Sequence, residues 1–185
     1  VFYPEDKVQW RKWLEENHNR LHEVWLVFYK KTSGKKSISW SDSVDEALCF
    51  GWVDSKKVSM DDEKSHLFFS RRKPKSTWSK INKDKVERLI EEGLMTKAGY
   101  ESIEIAKQNG SWTILDEVEA LVVPHDLETA FKQNPGSKEY YLTLSRTIKK
   151  GILQWIVLAK LPETRQKRID EIARLARNNQ KPKHL

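Results

Sequence analysis

Cysteine is nearly absent from this chain of 185 residues: Cys49 stands alone, which excludes an internal disulfide and a Cys-based zinc site. It lies in the apolar run Ala47-Leu48-Cys49-Phe50, the setting of a buried, inert thiol. Glycine is scarce, with 7 residues, and none of them builds a Gly-rich phosphate loop. No His/Asp/Ser constellation appears, and the five histidines are scattered. His18 and His22 lie four apart, but Asn17, Asn19 and Arg20 around them read as a loop, so the spacing loses its helical meaning. Asp61, Asp62 and Glu63 read as a solvated turn tip, so no metal and no cofactor is expected. There is no run of about 18 apolar residues and no signal-peptide pattern, and the expectation is a cytoplasmic protein.

What is abundant is tryptophan and charge. Eight Trp is high for this length, and an indole carries a buried N–H that needs a partner, as in an amphipathic cleft or interface. Hydrophobic residues make up 38% and charged residues 33%, enough apolar material for one good core beneath an ionised surface. The net charge of +7 is uneven. Residues 145–185 carry 11 Lys/Arg against 3 Asp/Glu, a surplus of +8, so the preceding 144 residues sum to −1. A second basic concentration runs from Arg71 to Arg88.

Periodicity predicts a helix from Pro4 to Asn17 and a strand from Glu23 to Lys31, whose run of apolar residues on both faces reads as a central strand. Ser43 and Glu46 form a capping-box pattern for a short helix ending at Gly51. Strands follow at Trp52–Met60 and Ser65–Arg72, joined as a hairpin. Ser79 and Thr96 are natural caps of the next two helices, closed by Gly93 and Gly110. Beyond residue 125 every signal is helical: Asp126–Gln133, Ser137–Leu144, Arg146–Lys160 and Pro162–Asn178. The fold class is therefore α+β, an N-terminal α-β-α-β-β unit with a small antiparallel sheet followed by an all-helical C-terminal half. The expected divisions are residues 1–112, a helical region at 125–178 and a frayed tail at 179–185, with 111–125 as a linker whose apolar stretch Leu115–Val123 packs.

Two segments carry the candidate chemistry, Asp45–Ser55 and Phe69–Asn82. Period two places Trp52, Asp54 and Lys56 on one face of the first hairpin strand, next to Ser55. The turn brings Asp54 to the same end as Arg71 and Arg72, where the charges form either an Asp–Arg bridge or an anion clamp. Trp78, Ser79 and Asn82 open a helix just after Arg71, Arg72, Lys73 and Lys75. That end serves either as an anion site or as a simple N-cap with Trp78 as hydrophobic staple. The candidate ligand-binding set is thus Trp52, Asp54, Ser55, Arg71, Arg72, Trp78, Ser79 and Asn82, with no catalytic residue assigned.

Ser43–Ser55, Phe69–Gly93, Met95–Gly99, Trp155-Ile156, Ala159–Arg165 and Arg168-Ile169 together resemble, in order along nearly the whole chain, the bacterial YdeI/OmpD-associated, or bacteriocin-protection, family. Ser70 stands where that family often has proline. The resemblance implies an N-terminal part like the small α/β units of YdhG-type proteins and a role in stress or bacteriocin resistance. It supplies no catalytic residue. Three functions are open: a non-catalytic binder of a small anionic or peptide ligand, a nucleic-acid-binding protein using the basic C-terminal helices and the Arg71–Arg88 patch, or an enzyme with Asp54 as acid/base.

Overall fold

The computed structural model describes residues 1–183. The chain divides into two compact units, one spanning Val1–Thr113 and the other running from Ile114 onward.

In the first unit the order is α1 (Lys7–Asn17), β1 (Glu23–Tyr29), α2 (Trp40–Cys49), β2 (Trp52–Ser59), β3 (Lys64–Arg71), α3 (Lys80–Glu91) and α4 (Lys97–Gln108). Helix α1 starts later than Pro4 because the Asp6 carboxylate accepts from Gln9 N at 2.9 Å and caps it there. The sheet is antiparallel with order β1-β3-β2, so β3 is central and β1 is an edge strand, contrary to the sequence expectation. The apolar run of β1 has another cause. Trp25 packs against Phe68 on β3, ring centroids 5.0 Å apart. The free edge is covered by Phe2, whose N–H donates to Trp25 O and whose carbonyl accepts from Val27 N.

Helix α2 begins at Trp40, and the pair Ser43/Glu46 does not cap it. Ser39 does, its Oγ accepting from Asp42 N at 3.0 Å. Ser43 is buried one turn inside, where its hydroxyl donates to Trp40 O, and Glu46 accepts from Arg11 at 2.8 Å. The hairpin also breaks its alternation: a bulge between Asp54 and Lys57 ends the period-two face expected to join Trp52, Asp54 and Lys56. At the hairpin tip Asp61 Oδ1 accepts from the N–H groups of Glu63 and Lys64, which hold its carboxyl below the usual range.

Helix α4 closes onto the end of α2. Gly51 sits at φ +70°, and a Cβ there would lie 2.9 Å from Ala98 O. Thr96 caps α4 and its hydroxyl also donates to Cys49 O at 2.6 Å, satisfying the end of α2. Trp10, Trp52, Trp78 and Phe69 are fully buried in one core with Leu14, Leu26, Leu48 and Leu89.

The second unit holds α5 (Asp116–Glu119), α6 (His125–Gln133), α7 (Ser137–Thr143), α8 (Arg146–Val157) and α9 (Pro162–Arg177). Leu115 and Val118 belong to its core with Leu127, Phe131, Ile152, Ile156 and Ile169. Arg165 on α9 grips Asp126 on α6 with two hydrogen bonds, Nε to Oδ2 at 2.7 Å and Nη2 to Oδ1 at 3.0 Å. The tail expected to fray is packed through Pro182, which is buried, after Gln180 N donates back to Leu175 O at 2.9 Å. Residues 184 and 185 of that expected tail lie outside the described residues.

Candidate functional site

The ends of β2 and β3 meet where Trp52 pairs with Arg71, and the ladder extends one step as Arg72 N donates to Gly51 O at 2.9 Å. A cleft of about 270 Å³ opens at this end of the sheet. One wall is Trp52, Arg71, Arg72 and Lys73, and the other is the α4 face that carries Ala98, Glu101, Ser102 and Ile105. His18, at the end of α1, completes the rim. The loop after Arg72 is anchored because Pro74 O accepts from Asn109 Nδ2 and Ser111 Oγ.

Both arginines are held from behind. Arg71 Nε donates to His18 O at 2.7 Å, and its backbone N–H to His22 O at 3.0 Å. Arg72 sits over Trp78, its guanidinium carbon 3.6 Å from the ring centroid, while Nη1 donates to Thr77 O at 2.8 Å. Burial pulls the Arg72 pKa down to about 10, partly offset by the charge of Asp54, so the group remains a cation at neutral pH. Around the cleft the donors outnumber their acceptors. Arg71 Nη2, Arg72 Nε, Arg72 Nη2 and the indole Nε1 of Trp52 are shielded from water and have no hydrogen-bond partner among the described residues. Each such buried N–H without an acceptor costs about 1–3 kcal/mol, and native proteins rarely leave several together.

The eight residues singled out in the sequence separate into groups. Trp52, Arg71 and Arg72 line the cleft. Trp78 supports Arg72 from within the core and packs on Trp112 at 4.9 Å. Ser79 caps α3 by accepting from the backbone N–H of Asn82 at 3.2 Å. Asp54 forms no bridge to either arginine; its Oδ2 accepts from Trp40 Nε1 at 3.1 Å. Ser55 is exposed at the bulge. Sequence reasoning missed the α4 wall. The spacing of Ala98, Glu101, Ser102 and Ile105 marks one helix face, but nothing local shows that this face borders an opening instead of a core.

Cys49 is buried, and desolvation raises its thiol pKa to about 11, with the charge of Glu46 adding to the shift. Among the described residues no group of three or more His, Cys, Asp or Glu is arranged to hold a metal ion. No helix of the described residues is long and apolar enough to cross a membrane. Part of the basic surplus of residues 145–185 is engaged internally: Arg165 with Asp126, Lys150 with Glu119 at 2.7 Å, and Arg168 with the Trp155 carbonyl.

A small antiparallel sheet with helices packed on it, bearing a guanidinium- and indole-walled cleft and continued by a helical unit, is the class of protein these observations define. Residues 2–102, more than half of the chain, match a family described as a domain of unknown function (DUF8412), and the chain belongs to that family. Residues 120–179 match the family Bacteriocin-protection, YdeI or OmpD-Associated. The resemblance read along the whole sequence therefore divides, its C-terminal stretches falling in the second match and its N-terminal ones in the first. No curated protein and no solved structure matches the chain.

Proposed function

We propose that this is a bacteriocin-protection-type protein that acts as a non-catalytic binder, holding a small anionic or peptide ligand in the cleft beside Trp52, Arg71 and Arg72. The observation that carries this reading is that four buried donor atoms on those three side chains lack acceptors. Burying a cation unpaired is expensive, and a bound anion removes the cost by supplying the missing acceptors. Sites of this kind trade stability for function, because the strain in the empty protein becomes affinity for the ligand. The match of residues 120–179 to a bacteriocin-protection family supports a protective role over a metabolic one. The enzyme alternative has less support, since Asp54 hydrogen-bonds Trp40 and is not among the residues lining the cleft.

A thermal-shift screen of small anions and short peptides against the full chain tests the proposal, since a ligand that binds the native state raises the melting temperature. At least one anion should stabilise the wild type and leave Arg72→Ala unchanged. An anion series that stabilises neither protein, or both equally, would contradict it.

A further inference from the structure

Resting on the cleft as an anion site, we propose that the group it binds is a carboxylate, gripped side-on by the Nε–Nη2 edge of Arg72 and completed by Arg71 Nη2 and the Trp52 indole N–H. Three features of the structure lead to this choice.

The first is which edge of the guanidinium is free. Thr77 O accepts from Nη1 of Arg72, and the atoms left unpartnered are Nε and Nη2. In a planar guanidinium these two form one edge whose parallel N–H groups match the two oxygens of a carboxylate. The same molecule shows the arrangement filled: Arg165 uses its Nε and Nη2 on the two oxygens of Asp126, at 2.7 and 3.0 Å. Among the described residues no acid does this for Arg72, because Asp54, whose charge reaches it, is hydrogen-bonded to Trp40.

The second is stoichiometry. Four nitrogens on three of the side chains that line the cleft lack partners. A carboxylate has two oxygens with about four lone-pair sites, so one carboxylate can offer each of the four nitrogens an acceptor. A phosphate brings a second charge, which costs more to desolvate. The third is the opposite wall, where Glu101 repels a dianion more than a monoanion. At about 270 Å³ the cleft suits a small carboxylic acid or the end of a chain, not a large cofactor.

Acetate, its neutral isostere acetamide and inorganic phosphate are the probes, titrated by calorimetry at constant ionic strength into the full chain and into Arg72→Lys. Lysine keeps the positive charge and loses the fork. Acetate should bind the wild type, acetamide should not, phosphate should bind more weakly than acetate, and Arg72→Lys should weaken acetate at least tenfold. Phosphate binding more tightly than acetate, or an Arg72→Lys affinity for acetate equal to that of the wild type, overturns the carboxylate assignment and leaves the anion site standing. Acetate binding no better than acetamide, with phosphate also silent, removes both. The wild-type series decides these outcomes even if the variant folds poorly.

Discussion

The Arg72 guanidinium rests 3.6 Å above the centre of the Trp78 ring, on an indole that is itself 1% exposed. The contact with the ring and the Nη1 bond to Thr77 O hold the guanidinium from two sides. A side chain with as much rotamer freedom as arginine is thereby set in one orientation before any ligand arrives, which lowers the entropy cost of binding.

Arg72→Met keeps much of the length and the contact with Trp78 but removes a buried charge with two unpartnered nitrogens. Replacing a poorly paired buried ion with an apolar side chain is commonly neutral or stabilising. The expected result is a ligand-free melting temperature equal to or above that of the wild type, by about 2–4 °C per kcal/mol gained, together with loss of anion-induced stabilisation. Differential scanning calorimetry with and without acetate measures both; a variant that melts well below the wild type means that Arg72 is a structural cation.

Ser79→Ala separates capping from binding. Its Oγ accepts from Asn82 N, so the variant should lose about 1 kcal/mol of stability. Its acetate affinity should match the wild type. A loss of affinity without loss of stability would place Ser79 in the site.

Gly51→Ala meets two obstacles, a backbone at φ +70° and Ala98 O at 2.9 Å from the new Cβ. The left-handed conformation alone costs an alanine about 1–2 kcal/mol, and the contact adds to it by pushing α4 outward. Urea unfolding should show a loss of at least that size. Because Gly51 and Ala98 both border the cleft, anion binding should weaken as well.

The Asp126–Arg165 pair gives a pH signature. Arg165 holds the Asp126 carboxyl below its ordinary value, so the folded-state pKa is depressed relative to the unfolded one. The contribution is therefore present above the unfolded value of about 3.9 and is lost as pH falls through the folded value. Asp126→Asn should melt below the wild type at pH 7, by less than about 1 kcal/mol for so exposed a pair, and the gap should shrink as the pH drops below about 4. A gap that stays constant from pH 7 to pH 3 would show that the ion pair does not contribute.

Local chemistry was legible in the sequence and long-range pairing was not. Ser79 and Thr96 cap the helices expected of them because an N-cap is decided within four residues. Trp52, Arg71 and Arg72 stood out by residue type, and the hairpin that carries them was readable from its turn. The position of β1 at the edge was hidden because Phe2 and Trp25 shield it, giving an edge strand the composition of a central one. The Asp54–Arg bridge failed for a similar reason: Trp40, on a helix 14 residues earlier, supplies the donor that Asp54 takes. Glu101 and Ser102 belong to the cleft only because glycine at positions 51 and 99 lets α4 approach α2, a tertiary fact with no local signal.

The most direct test is a nitrogen–proton NMR spectrum that resolves the Trp52 indole and Arg72 Nε groups during an acetate titration. Both resonances should shift saturably and together, with one dissociation constant, as their missing acceptors arrive. Resonances that stay fixed up to saturating acetate, or that move only with ionic strength, would contradict an anion site at this cleft.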